Sequence, residues 1–282
     1  MRCLLLTLLL WALPAQAQQL KPYKDKLFAY PPTIHLSKDN SFRFVNFNKQ
    51  ISVHQRDEIP LRRVKRQYVN ERVRWQRRLS SYTSPNGTFK HYEVGTARGA
   101  AVTVVYIHGK GGNHRQGVND WTFGGNFNRL QNLMANNNGL LLTPSFSDFQ
   151  DKGAQDIKAL IRRYAPHRNL IVACGSMGGG VCWRLAADPQ IAPQLAGLFI
   201  LGSFWNEAYL NSPALAAKVP IYIGHGTDDV VFAPKKQLDF FNSIQRKRPG
   251  YPGRFVLYDS GVHGTPIRMV NWRDEINWML KN

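Results

Sequence analysis

Two arrangements of apolar residues alternate over most of the chain. The first is the short unbroken run: Ala101-Val-Thr-Val-Val-Tyr-Ile107, Leu140-Leu-Leu-Thr143, Leu170-Ile-Val-Ala173, Gly197-Leu-Phe-Ile-Leu201, Val219-Pro-Ile-Tyr-Ile-Gly224 and Arg254-Phe-Val-Leu-Tyr258. A run without polar alternation is what a strand covered on both faces requires. The second is helical spacing. Ala154, Ile157, Leu160, Ile161 and Tyr164 recur at intervals of three and four in a helix predicted from about Asp151 and ended by Pro166. Leu238, Phe240, Phe241 and Ile244 follow Pro234 in the same way, and Met269, Trp272, Ile276 and Met279 predict one closing helix with Pro266 near its start. A further helix is expected across Phe127 to Met134, stopped by Asn136-Asn-Asn-Gly139. Strand and helix in alternation demand a parallel sheet with right-handed crossovers and place a ligand site at the strands' carboxyl ends. At 282 residues and 43% hydrophobic, the chain can bury one such α/β core.

The N-terminal part reads differently. Residues 1–17 begin with Arg2, continue through an apolar run and end in Ala15-Gln16-Ala17, the pattern of a secretory signal peptide, and the run breaks at Pro14, too short for a membrane-spanning helix. No later segment is long and apolar enough, so no transmembrane anchor is expected and the chain is read as exported, periplasmic or secreted. Residues 18–70 lack periodicity apart from a short strand at Phe42–Phe47, and are expected to wrap over the domain as an extension ordered by Phe28, Tyr30, Phe42, Phe44 and Phe47. The α/β domain is then expected over 71–282. Val73, Trp75 and Leu79 alternate with Arg72, Arg74, Arg77 and Arg78, and Ser84-Pro-Asn-Gly87 supplies a turn before Phe89, Tyr92 and Val94, which predicts a β-hairpin with one core face and one cationic face.

Charge adds a partner class. The formal net charge is +19, and Arg62, Arg63, Lys65 and Arg66 join the four hairpin arginines with only Glu71 among them. Such a stretch is drawn to anionic surfaces, here an anionic envelope surface rather than a specific nucleic acid. Cys3 leaves with the signal, so Cys174 and Cys182 remain. They are expected to stay unpaired, because a strand and the helix packed on it lie about 10 Å apart, beyond the roughly 7 Å Cα limit for a bridge. The eight histidines include no H-x-x-x-H pair with a following ligand, so neither a metal nor another cofactor is called for.

Candidate chemistry sits where the apolar runs end. Leu170–Ala173 runs into Cys174-Gly-Ser-Met-Gly-Gly-Gly180, and Val181, Leu185 and Ala186 continue at helical spacing, so Ser176 stands on a tight strand-to-helix turn. The run ending at Ile107 leads into His108-Gly-Lys-Gly-Gly-Asn113. Val219–Gly224 leads into Gly224-His-Gly-Thr-Asp-Asp-Val-Val231, and the last strand leads into Asp259-Ser-Gly-Val-His263-Gly. Together these resemble the α/β-hydrolase superfamily, with its H-G-x-G loop, G-x-S-x-G elbow and acid and histidine loops in the order Ser, Asp, His. Cys174 replaces the elbow's first glycine. Within the superfamily the short loops look like the lidless phospholipase/carboxylesterase and acyl-protein thioesterase group, over about Val102 to the C-terminus.

The resemblance implies an α/β-hydrolase fold, a mostly parallel central sheet with helices on both faces and no large lid domain. It implies Ser176 as nucleophile, His263 as base and Asp229 as acid, with Asp228 the alternative one position earlier, and the Lys110 and Met177 N–H groups as the oxyanion hole. His108 is expected to brace its loop. Lys110, His114 and Arg115 lie close to the site, and Phe204, Trp205 and Tyr209 in the short segment after Leu201 are expected to line an open cleft, which makes His114, Arg115, Phe204 and Trp205 candidate substrate-binding residues. The expected function is hydrolysis of a carboxylic ester or thioester of an acylated small molecule, lipid or glycan. The alternatives are a serine peptidase on the same fold and a non-catalytic homologue that binds anionic polymer.

Overall fold

The computed structural model describes residues 19–58, 63–165 and 169–282. The segment read as a signal peptide and the positions of Arg62 and Pro166 lie outside them. In chain order the strands are β1 (Thr33–Leu36), β2 (Phe42–Val45), β3 (Asp57–Glu58), β4 (Arg63–Val64), β5 (Arg77–Ser84), β6 (Gly87–Gly95), β7 (Thr103–Ile107), β8 (Leu140–Pro144), β9 (Leu170–Gly175), β10 (Leu195–Leu201), β11 (Ile221–Gly226) and β12 (Gly253–Tyr258). The helices are α1 (Asn126–Asn136), α2 (Asp151–Tyr164), α3 (Gly179–Ala187), α4 (Pro213–Ala216), α5 (Pro234–Lys247), α6 (Thr265–Met269) and α7 (Trp272–Met279).

One sheet carries the order β1-β2-β12-β11-β10-β9-β7-β8-β6-β5. Pairing from β2 through β8 is parallel, and β1 at one edge and β6 and β5 at the other are antiparallel. The unbroken apolar runs follow from burial on both faces. Along β9, Leu170, Val172 and Cys174 face a layer built with α2, α3 and α5, while Ile171 and Ala173 face a layer built with α1 and α7. Successive side chains in a strand point to opposite sides, so each layer takes every second residue.

The N-terminal extension contributes to both layers and to the sheet. Its Phe42–Val45 strand pairs in parallel with β12, Phe42 opposite Phe255, and the two rings stack at 6.0 Å. Arg129 of α1, wholly buried, donates to Asp25 at 2.9 Å and to Asn271 at 2.9 Å. The β3–β4 ribbon is tied to α6 by Arg268, which donates to both Asp57 oxygens at 2.9 and 2.7 Å.

Four expectations are corrected. The closing helix is broken into α6 and α7 around Val270 and Asn271, because the Asn126 amide donates to the carbonyls of Ile267 and Val270 and so ends α6. The predicted hairpin spans only β5 and β6; residues 71–76 form a 3-10 helix instead, with Trp75 at its exposed end. Nor is its polar face uniformly cationic, since Arg74 and Arg77 both bind Asp120 and Arg78 binds Glu93. Tyr209 is buried, its hydroxyl 2.8 Å from that of Tyr251, and does not line a cleft.

The fourth correction is chemical: Cys174 and Cys182 form a disulfide, with Cα atoms 6.2 Å apart. The expected separation was a distance between axes. The facing side of a helix lies about 2.3 Å nearer than its axis, and α3 starts only one turn after β9 ends, where strand and helix converge. The bridge closes a short loop, which constrains the unfolded chain by about 2–3 kcal/mol. Replacing both cysteines by alanine should therefore lower the thermal midpoint by about 5 °C or more. A differential scanning experiment that finds the midpoint unmoved would remove this contribution.

Candidate active site

Ser176 has a φ of 52°, in the left-handed region that side chains rarely adopt. It follows β9 directly and opens a single 3-10 turn, Ser176–Gly178, that continues into α3. The turn can be this sharp because of what stands two residues on. A Cβ at Gly178 would lie 2.7 Å from the Ile107 carbonyl oxygen and 2.8 Å from that of His108, so only glycine lets the turn rest on the end of β7. The Ser203 hydroxyl donates to the Ser176 carbonyl at 2.6 Å and fixes the turn from β10's side.

Two loops bring the partners. The loop after β11 and the loop after β12 are stitched together: Thr227 N–H donates to the Tyr258 carbonyl at 2.9 Å, Asp228 N–H to the Gly261 carbonyl at 2.8 Å, and Ser260 N–H to the Thr227 hydroxyl at 2.7 Å. That frame sets His263 between serine and carboxylate. Its Nε2 is 2.8 Å from Ser176 Oγ, and its Nδ1 is 2.9 Å from Asp229 Oδ2. Asp229 is ionised and can only accept, so Nδ1 must hold the imidazole proton and Nε2 is left as an acceptor facing the serine hydroxyl.

Asp229 is buried and saturated. Its Oδ1 accepts from the N–H groups of Val231 at 2.8 Å and Phe232 at 3.1 Å, and its Oδ2 lies 3.2 Å from His225 Nε2 as well as against His263. Burial by itself would raise the carboxyl pKa; hydrogen bonds from His225, His263 and the two backbone N–H groups outweigh it and hold Asp229 well below the usual carboxylate range. Asp228 is exposed, and its carboxylate accepts from the Thr227 hydroxyl at 3.0 Å. Of the two aspartates, only Asp229 meets His263.

The H-G-x-G loop sits beside the serine. A Cβ at Gly109 would come 2.7 Å from Ser176 Cβ, so the backbone at this point closely approaches the serine side chain. Lys110 follows it, and Met177 is the second residue of the 3-10 turn, where an N–H has no acceptor within the turn. His108 is buried, with Nδ1 2.9 Å from the Gly109 carbonyl and its ring stacked on Phe146 at 4.4 Å, as a bracing residue should be. Lys110 and Arg115 project into an open cavity of about 350 Å³ with Asn113, Gln116 and Asn119. His114 turns away from that cavity; its Nδ1 meets the Ser145 hydroxyl at 2.8 Å, and burial, then the nearby Arg115 and Lys90 charges, lower its pKa.

The neighbours of His263 are apolar. Phe232 packs 5.6 Å from the His263 ring and Phe204 5.5 Å from Phe232, while Val231 and Val262 are exposed beside them. Trp205 lies farther out under the Lys236 ammonium, 5.3 Å away. Three members of this arrangement escape a reading of the sequence alone. His225 is legible there only as a landmark for counting to the acid, although its spacing of four to Asp229 could have marked it as a second donor. Phe232 and Ser203 give no sequence signal.

No protein-family model matches the sequence, and neither does any curated protein. Solved structures do match in fold. A thermostable esterase aligns with a TM-score of 0.60 at 15% identity, over 74% of this chain and 64% of its own length. The fluorophosphonate-binding serine hydrolase F of Staphylococcus aureus aligns with a TM-score of 0.54 at 14% identity, over 73% of this chain and 98% of its own. A serine hydrolase of Xanthomonas campestris described as without a lid aligns with a TM-score of 0.51 at 17% identity, over 73% and 94%. These likenesses show an α/β-hydrolase fold, and the short helices between β10 and β11 leave no room there for a large lid domain.

Proposed function

We propose that this protein is an exported serine hydrolase that cleaves a carboxylic ester or thioester through an acyl-enzyme. The observation that carries the reading is His263, held at 2.8 Å from Ser176 Oγ and 2.9 Å from Asp229 Oδ2. In this reading Ser176 Oγ attacks the substrate carbonyl while its proton passes to His263 Nε2. Asp229 stabilises the imidazolium, and the Lys110 and Met177 N–H groups receive the oxyanion. His263 then returns the proton to the leaving oxygen or sulfur. Water, deprotonated by the same nitrogen, releases the acid and restores Ser176.

The surroundings support an ester with a hydrocarbon part. Phe204, Phe232, Val231 and Val262 offer an apolar flank beside the histidine, and the polar cavity at Lys110 and Arg115 offers the other half of the substrate a hydrophilic one. Export to the periplasm or beyond is supported by the leader-like residues 1–17 together with the Cys174–Cys182 bridge, since disulfides persist in oxidising compartments.

A fluorophosphonate probe tests the proposal directly, because only an activated serine reacts with it. The native protein should take one equivalent of label, and mass spectrometry of its peptides should place it on Ser176. Absence of label, or label on another serine, would refute the reading.

A further inference from the structure

The sheet ends at β5, and between that free edge, the end of β6 and the last turn of α2 lies an open cavity of about 900 Å³. Its lining has a consistent chemistry. Arg78, Arg98 and Arg163 supply three guanidinium groups, Tyr82 and Tyr164 two aromatic rings, and β5 the backbone N–H and C=O groups of its free edge. The carboxylate in the lining is already spent: Glu93, buried, accepts from Arg78 at 2.6 Å, Ser80 at 2.7 Å and Tyr164 at 2.8 Å. Arg98 and Arg163 are exposed and make no ion pair with an acid among the described residues, Arg163 lying 5.6 Å from the Tyr164 ring. The cavity is therefore positive on balance. It is also remote from the serine, since β7, β8 and β6 separate β9 from β5, about 19 Å at the usual strand spacing.

The chemistry selects an occupant. Unmatched guanidinium groups bind carboxylates in pairs of parallel hydrogen bonds, free backbone N–H and C=O groups bond to sugar hydroxyls, and tyrosine faces accept the apolar side of a sugar ring. A membrane surface fits poorly: the lining is concave and, apart from Ala97, holds no aliphatic side chain to enter a bilayer. A peptide adding as a strand along β5 would meet Arg78 on that edge, and charged side chains on an edge strand resist such pairing. We propose that this groove is a binding site for an acidic oligosaccharide, a sugar chain carrying carboxylates along its length, separate from the site of bond cleavage. The groove holds such a chain in place by Arg98 and Arg163 and by the free edge of β5, whatever reaction Ser176 performs.

The probe is trigalacturonate, with maltotriose as its uncharged counterpart and hexaglutamate as an acidic peptide. Binding to the full chain is measured by calorimetry at low and at physiological salt. Three proteins are compared: native, Arg98→Gln with Arg163→Gln, and a control with the same loss of charge on exposed residues elsewhere, Lys38→Gln with Lys281→Gln. Circular dichroism establishes that all three are folded. The native protein should bind trigalacturonate and not maltotriose; the groove variant should bind it at least about tenfold more weakly, and the control within about twofold of native. Equal weakening of control and groove variant would reduce the effect to overall charge and overturn the proposal, as would undiminished binding by the groove variant or no binding by the native protein. Hexaglutamate binding tighter than trigalacturonate, with the same dependence on Arg98 and Arg163, would overturn the sugar in favour of a peptide. No turnover is read, so the outcome is separate from that of the labelling experiment.

Discussion

Ser176→Ala is expected to lower kcat for 4-nitrophenyl butyrate by about four orders of magnitude or more while leaving the protein folded. In the proposed mechanism the hydroxyl is the nucleophile, and nothing else in the geometry can replace it: His263 Nε2 points at Ser176 Oγ, and the Ser203 hydroxyl is engaged with the Ser176 carbonyl. The stability change should be small, about 1 kcal/mol, because the lost hydrogen bond lies in a partly exposed site. The stronger test is coupling. If serine and histidine act as one unit, Ser176→Ala with His263→Ala should be scarcely worse than either alone, whereas independent contributions would multiply. Steady-state rates for the three variants settle it; a double variant slower by the product of the single effects would mean that the two side chains do not share a step.

The second large effect separates two adjacent aspartates. Asp229→Asn should cost about four orders of magnitude in kcat, because an amide that donates to Nδ1 forces the imidazole proton onto Nε2, where it faces the serine hydroxyl and cannot accept. Asp228→Asn should change kcat by no more than about threefold, since Asp228 is exposed and bonded to Thr227. Stability gives a second readout with a definite sign. The Asp229 pKa is depressed in the folded protein, so its ionised form stabilises the fold above the ordinary carboxylate range, and that contribution is lost as pH falls toward the folded value. The native protein should therefore exceed Asp229→Asn in thermal midpoint by its full margin at neutral pH, with the gap narrowing on acidification below about pH 4. A gap that is constant with pH, or a large rate loss in Asp228→Asn, would contradict the assignment.

The parts legible in the sequence are those whose physics is local. β7, β8, β9, β10 and β11 are covered on both faces, so their side chains are apolar on both, and unbroken runs mark them without reference to anything else. The loops at the carboxyl ends of β9, β11 and β12 carry Ser176, Asp229 and His263, and glycines around those residues report turns that must be tight. What stayed hidden depends on distant partners. The break between α6 and α7 is made by Asn126, far earlier in the chain, and nothing in the helical spacing of Met269, Trp272 and Ile276 announces it. The arginines of 72–78 look unopposed in sequence because Asp120 and Glu93 reach them only in the fold. β1 escaped for another reason: all four of its residues are exposed, so it has no buried face to generate a pattern.

The seating of β2 against β12 has a consequence in time. A ribosome delivers Phe42 more than two hundred residues before Phe255, yet the two stand opposite each other in the finished sheet, and the Phe255 N–H donates to the Ser41 carbonyl at 2.7 Å. Contacts so distant along the chain close late and slowly. The strand that leads into His263 thus completes its pairing only when segments more than two hundred residues apart meet. In the proposed mechanism Ser176 also depends on His263, which follows it by 87 positions, so a chain not yet folded through β12 would lack the nitrogen that takes the serine proton.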